Sequence, residues 1–202
     1  MDEIVLRGMA KWPNVPAVYG WLALDRRGDW RIKGERVANT LVSEFIGRNY
    51  SRDSRGCWFF QNGPQRVFVD LGYTPFVYRI ASPEDAPLEL EAHNGSRVAA
   101  VGGAWLDEAG ALLLQTEHGI GTVHDRDLER LLPYFVGADG TPMPDDALDQ
   151  LMEALQQGTP APLWLQYHAS RVAIEPIASS DVPRRFGYTA QPEPPQGEEV
   201  CR

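Results

Sequence analysis

The chain has 202 residues, 43% of them apolar, which suffices for one domain or two small ones with a real core. Its net charge of −9 repels polyphosphate and argues against a nucleic-acid partner. No apolar run approaches the roughly 18–20 residues of a membrane span, and "MDEIVLRGMAKWP" has no apolar core of a secretion signal, so a cytoplasmic setting with no membrane contact is expected. Cys57 and Cys201 have no motif spacing and read as free thiols of a reducing compartment, Cys57 as an inert packed one.

The first element is "VYGWLALDRRGDWRI", residues 18–32. Apolar residues flank an Asp-x-x-Gly tetrad, Asp25 to Gly28. Aspartate suits the first position of a tight turn because its carboxylate accepts the next backbone N–H groups, and glycine accepts the positive φ that follows. A β-hairpin is predicted. Next, Asn39 can cap a helix with Leu41, Val42, Phe45 and Ile46 as its apolar face and Gly47 near its end.

The stretch "GRNYSRDSRGCWFFQNGPQR" is the most site-like. It sets Arg48, Arg52, Arg55 and Arg66 against one acid, Asp53, with Tyr50, Trp58, Phe59 and Phe60 between them. Arginine beside aromatic rings suits a carboxylate, a phosphate or an acidic peptide. Stacking the bases of a single strand is a weaker alternative, and a solvated loop beside a core strand is the bland one. The strands "WFFQ" and "RVFVDL" are predicted to turn at Asn62-Gly63, and "FVYRI" follows. "ASPEDAPLELEAHNG", 81–95, reads as a connector with a further hairpin turn at Asn94-Gly95.

"AVGGAWLDEAGALLL" then repeats the first hairpin: Gly20, Leu24, Asp25 and Gly28 fall on Gly102, Leu106, Asp107 and Gly110, all displaced by 82. In "EHGIGTVHDRD", Glu117, His118, His124, Asp125 and Asp127 are the best local metal candidates, yet His118 and His124 lack the spacing of a helical zinc pair. No metal or cofactor is expected. Asp125 or Asp127 can cap a short helix over Leu128, Leu131 and Leu132, and Pro133 shortens it. A second helix near 145–157 is predicted from Leu148, Leu151, Met152 and Leu155, with Asp145 or Asp146 as cap. "LWLQYHASRVAIEPI" repeats "WFFQNGPQRVFVD" with a displacement of 105: Gln61 falls on Gln166, Arg66 on Arg171, Asp70 on Glu175. The two displacements differ by 23, the length of an insert that carries the second helix. "TAQPEPPQGEEVCR", 189–202, reads as a mobile or loosely docked tail.

The expectation is an α+β fold, an internal duplication of a β-hairpin/helix/β-hairpin unit with a mainly antiparallel sheet and a pseudo-two-fold: a first half at 1–80, the connector, and a second half at 96–188. Reuse of Gln61/Gln166 and Arg66/Arg171 suggests framework, with each amide bridging strands and each guanidinium pairing Asp70 or Glu175; two pseudo-symmetric ligand contacts are the sharper alternative.

"KWPNVPAVYGWLALD" with "FIGRNY", "WFFQNGPQRVFV" and "YTPFVYR" resembles an uncharacterised family of proteobacterial proteins of roughly 200 residues. The resemblance covers most of the chain, implies a bacterial cytoplasmic setting, and carries no assigned catalytic or binding residues. No nucleophile elbow or phosphate-binding glycine loop is present in the sequence. The favoured reading is a non-enzymatic module that binds a small anionic ligand or a protein partner, with a homodimer as one form. The rival is an enzyme that holds a small anionic substrate with the 48–66 arginines and uses His118 or His124 as acid/base.

Overall fold

The computed structural model describes residues 1–12, 15–84 and 86–196, and the backbone of Val200 and Cys201. It is a mixed α+β fold with two large, mostly antiparallel sheets and five α-helices among the described residues. The chain divides into two compact units: Met1–Pro75 with His93–Gly95 and Gly187–Arg202, and Phe76–Ala92 with Ser96–Phe186.

The first unit contains α1 (Glu3–Lys11), β1 (Ala17–Leu24), β2 (Trp30–Ile32), β3 (Glu35–Arg36), α2 (Thr40–Arg48), β4 (Tyr50–Arg52), β5 (Trp58–Asn62) and β6 (Gln65–Leu71). Its strand order is β3-β2-β1-β6-β5-β4, with only the β1–β6 pair of this path parallel. The β1–β2 hairpin closes as the sequence predicts: Asp25 Oδ1 accepts from Arg27 N and Asp29 N, both at 3.0 Å, and Gly28 takes φ 81°. Asn39 caps α2 by accepting from Leu41 N and Val42 N. The α2 ring of Phe45 meets Phe60 edge-on, centroids 5.5 Å apart, so one sheet face is covered by this helix. Leu41, 74% exposed, and Val42 face solvent and not a core. The N-terminal helix α1 has no counterpart among the expected elements. Val5 is its one buried residue, and Asp2 N donates to Asn49 Oδ1 at 2.7 Å, which ties its start to the end of α2.

The second unit contains β7 (Phe76–Ile80), β8 (Leu90–Ala92), β9 (Val101–Asp107), β10 (Leu112–Thr116), β11 (Ile120–Val123), α3 (Leu128–Leu131), β12 (Phe135–Val136), α4 (Asp145–Gln156), β13 (Trp164–Tyr167), β14 (Ser170–Ile177) and α5 (Val182–Phe186). Its order is β12-β13-β14-β9-β10-β11-β7-β8. Leu112, Leu113 and Leu114 are all fully buried, as a central strand covered on both faces requires. Each such side chain contributes about 1.5–3 kcal/mol. The helix predicted near 145–157 forms as α4, and Leu148 and Leu155 are buried. Its N-cap is Pro144, with Asp145 and Asp146 in the first turn. Asp127 holds the N-cap position of α3 without a side-chain cap bond, its Oδ2 accepting instead from Ile80 N at 3.0 Å; the helical turn before α3 is capped by His124, which accepts from Arg126 N at 3.1 Å. Phe76–Ile80, expected in the first half, pairs with β11 in this second sheet. The glycines of "VGGAW" lie in β9, where the register against β10 slips at Gly102, between the Gly103–Gln115 and Val101–Thr116 pairs, and Gly103 leaves room for the Trp105 ring.

A last short strand, β15 (Val200–Cys201), returns to the first unit and pairs parallel with Ala17 and Val18 of β1. The side chain of Cys201 lies outside the described residues.

The two sheets share a pattern. In the second, the run β11-β10-β9-β14-β13-β12 has the order and strand directions of β3-β2-β1-β6-β5-β4. Leu22, Ala23 and Leu24 stand opposite Ile32, Arg31 and Trp30; Ala104, Trp105 and Leu106 stand opposite Leu114, Leu113 and Leu112. Ala23 pairs with Asp70, and Trp105 with Glu175. Gln61 pairs with Arg66, and Gln166 with Arg171.

Candidate functional site

The site is built on the face of the first sheet that α2 does not cover. Phe59 pairs with Phe68 and Gln61 with Arg66 across the β5–β6 ladder, so the four side chains share one face. Tyr19 of β1 stacks on Phe68 with centroids 4.4 Å apart. Cys57, Phe59 and Phe68 form a buried cluster beneath, and Ala17 and Tyr19 pack on it. Cys57 is a free, buried thiol, as an inert packed cysteine should be.

A cavity of about 930 Å³ opens on this face. Its size lies within the range of small-ligand pockets. Tyr19 and Phe68 form an aromatic floor, and Arg55, Gln61 and Arg66 supply polar groups. Met9 and Trp12 at the end of α1 form one wall, and Pro195 lines it as well.

Arg55 is held by a turn that repeats the device of the first hairpin. Asp53 Oδ1 accepts from Arg55 N and Cys57 N, each at 2.9 Å, and Gly56 takes φ 81°. Asp53 Oδ2 accepts from Arg55 Nε at 3.0 Å, and the guanidinium donates to the Tyr19 hydroxyl at 3.3 Å over the Phe68 ring. The Tyr19 hydroxyl and the Asp53 carboxylate raise the Arg55 pKa. Burial pushes the Asp53 carboxyl up, but the Cys57 N–H, the Arg55 side chain and the Arg55 N–H outweigh it, and the net pKa is lowered.

Arg66 is different. Its guanidinium lies over the Phe59 ring, 4.8 Å from the centroid, and has no carboxylate or hydrogen-bond partner among the described residues. The expected pairing with Asp70 does not form: Asp70 sits opposite Ala23 on β1, and burial raises its pKa. Gln61 is 1% exposed; its Nε2 donates to Gly63 O at 2.9 Å, and its Oε1 has no partner among the described residues. The amide therefore braces the turn and does not bridge strands. In the second unit, Gln166 Nε2 donates to His168 O at 2.6 Å, while Arg171 donates to Ala138 O at 2.7 Å. Glu175, its expected partner, accepts instead from Trp105 Nε1 at 2.9 Å and Arg185 at 3.1 Å. The two turn-bracing amides are alike, and the two guanidinium groups are not.

The remaining candidates do not line this cavity. Arg48 pairs with Asp2 and Glu44 at the surface. Tyr50 packs among Trp30, Trp58 and His93, its hydroxyl donating to Pro75 O at 3.2 Å, and burial pushes the phenol well above its ordinary value. Arg52 donates to Gly187 O. His118 contacts the Arg97 carbonyl at 2.8 Å and Glu117 at 3.4 Å, and His124 is occupied in capping. Among the described residues no three His, Cys, Asp or Glu side chains cluster as metal ligands.

Sequence reasoning missed Met9, Trp12, Tyr19 and Pro195. The tetrad "DSRG", Asp53 to Gly56, carries the same turn signal as Asp25 to Gly28 and could have located the Arg55 turn. Nothing comparable marks the docking of α1.

The solved structures similar to this chain include a DUF1285 family protein of Silicibacter pomeroyi DSS-3, at 14% identity and a TM-score of 0.53, covering 81% of this chain and 85% of that one. A DUF1285 family protein of Shewanella baltica OS155 matches at 16% identity and a TM-score of 0.41, over 57% of this chain and 89% of that one. The first likeness supports the fold alone. No curated protein matches the sequence. Residues 1–193 match the DUF2944 family, described as "Protein of unknown function (DUF2946)", and the chain belongs to that family.

Proposed function

We propose that this member of the DUF2944 family is a non-enzymatic binding module of the cytoplasm, which holds a carboxylate or phosphate group in the cavity of its first unit. One observation carries the reading: Arg66 presents a guanidinium over Phe59 with no internal anion among the described residues, whereas its equivalent Arg171 is engaged by Ala138 O. Arg55, locked by Asp53 and Tyr19, gives the cavity a second guanidinium with fixed orientation.

The equivalence of Arg66 and Arg171 rests on an internal duplication, which is part of the same proposal. Shared strand order, shared register and paired Asp-x-x-Gly turns support it. So does positive φ at the same turn position, 56° at Gly63 and 51° at His168. On this reading, one copy keeps an open anion seat and the other has closed it with its own backbone.

Titration of the ¹⁵N-labelled protein with inorganic phosphate and with acetate tests the function. Saturable shifts of the Trp12 indole and the Arg66 Nε–H are expected, and the Trp12 shift should be absent in Arg66→Ala. Shifts spread over the whole surface, or unchanged by Arg66→Ala, would end the reading.

A further inference from the structure

The cavity also has a contact from its own chain. Thr189 N donates to Gly56 O at 3.0 Å and Leu71 N to Ala190 O at 2.7 Å, which fixes the chain just before the segment Pro192–Gln196. Pro192 is buried, Glu193 and Pro194 are exposed, and Pro195 lines the cavity. Beyond it, Val200 and Cys201 extend the sheet as a strand beside Ala17 and Val18. A proline-containing segment with one exposed acid, Glu193, therefore already reaches, at Pro195, the cavity that Tyr19, Trp12 and Arg66 line.

Each feature of the groove matches that chemistry. Proline-rich segments are preformed, lose little entropy on binding, and dock on aromatic surfaces such as Trp12 and Tyr19. Such segments leave backbone groups free, and Gln61 Oε1, buried and without a partner, accepts an N–H. Arg66, which no carboxylate of the described cis residues engages, is left to take one from the ligand. Ala17 and Val18, at the start of β1, already pair with an extended backbone, that of Val200 and Cys201.

We infer that the groove's ligand is an extended, proline-containing acidic peptide of another polypeptide, and that residues 192–196 hold its place in cis. This inference rests on the anion seat proposed above and names the molecule that carries the anion. The cis segment competes at an effective concentration on the order of millimolar, so an external peptide must be tested in that range.

The test uses the full chain, ¹⁵N-labelled, and the synthetic peptide Thr-Ala-Gln-Pro-Glu-Pro-Pro-Gln, which copies residues 189–196. The peptide is expected to shift the Trp12 indole and the Arg66 Nε–H at millimolar concentration. Binding should tighten at least fivefold in Pro195→Gly, which loosens the cis segment. It should be lost in Arg66→Glu and with a peptide carrying lysine in place of its glutamate. If phosphate or acetate shifts the groove but the peptide shifts nothing in either protein, the peptide inference is overturned and the anion seat stands. If none of the three probes shifts it, both fall. A peptide that binds equally with glutamate or lysine is a nonspecific ligand and overturns the inference too. Equal affinity for the wild-type chain and Pro195→Gly overturns the cis competition.

Discussion

Gln61 stands directly opposite Arg66 on neighbouring strands, and the two do different work at one cavity wall. The amide braces the Gly63 turn, while the guanidinium rests on Phe59 and faces outward. Gln166 and Arg171 occupy the same positions of their own ladder, so each substitution in one pair has a control in the other.

Arg66→Ala removes an exposed side chain whose guanidinium rests on a ring face, so stability should change by no more than about 0.5–1 kcal/mol. Arg171→Ala removes a hydrogen bond to Ala138 O and should cost about 0.5–1.5 kcal/mol. Anion affinity should move the opposite way, about tenfold weaker or more in Arg66→Ala and unchanged in Arg171→Ala. Urea denaturation and phosphate titration of the two variants read this directly. Equal affinity losses would mean that the two guanidinium groups are not distinguished by their partners.

The glycine turns give a second contrast. Gly56 has φ 81°, and a Cβ there would run into the Gly187 carbonyl oxygen. Gly56→Ala should cost roughly 2 kcal/mol or more, through both strain and the loss of the Gly56–Thr189 docking. Gly63 has φ 56° with open space around it, so Gly63→Ala carries only the backbone penalty, about 1 kcal/mol. His168 shows that an L-residue is tolerated at the corresponding turn. Urea midpoints of the two alanine variants should rank in that order.

Much of this fold was legible because its turns are coded locally. Asp25 to Gly28 and Asp107 to Gly110 gave both hairpins, Asn39 gave the α2 cap, and Leu148 to Leu155 gave α4. Pairing between distant segments was not legible. "FVYRI" reads as a strand anywhere, and nothing local says that its partner is β11. The site was half legible for the same reason. Arg55, Gln61 and Arg66 were singled out by charge and by repetition, but Arg48, Tyr50 and Arg52 belong to the same run and face elsewhere. Strand alternation separates Arg52 from Arg66 only once the β4–β5 turn is known. Met9 and Trp12 reach the cavity through α1, whose Gly8 packs beside the Gly63–Pro64 turn, a contact that no local pattern announces.

Acid should weaken the first unit as pH falls below the ordinary carboxylate range. For Asp25, burial raises the pKa, but the Asp29 N–H, the Arg31 side chain and the Arg27 N–H outweigh it, so the folded value lies below the ordinary 3.8. Asp53 is lowered likewise. A folded pKa below the unfolded one means that this stabilisation is fully present above the unfolded value and is lost as pH falls through the folded one. The denaturation midpoint should therefore hold near neutrality and decline below about pH 4. Asp53→Asn should be less stable at neutral pH and show a shallower acid decline. An equally steep decline in Asp53→Asn and Asp25→Asn would place the acid sensitivity elsewhere.

Gln61→Leu and Gln166→Leu separate bracing from binding. Each removes the same amide-to-carbonyl bond in the same kind of turn, so each should cost about 1 kcal/mol from that bond. Gln61 is also buried with its Oε1 unpaired, and leucine there hides no orphan acceptor, which offsets part of the loss. Gln61→Leu should thus be the milder of the two in urea. Its effect on ligands should be selective. Acetate has no hydrogen to donate and needs only Arg66, so its affinity should persist. The 189–196 peptide offers backbone N–H groups, and its affinity should fall about fivefold or more. Titrating both probes into both variants decides the point. Parallel losses of acetate and peptide would show that Gln61 acts only by holding the turn beneath Arg66, and selective loss of the peptide would place its Oε1 against the ligand.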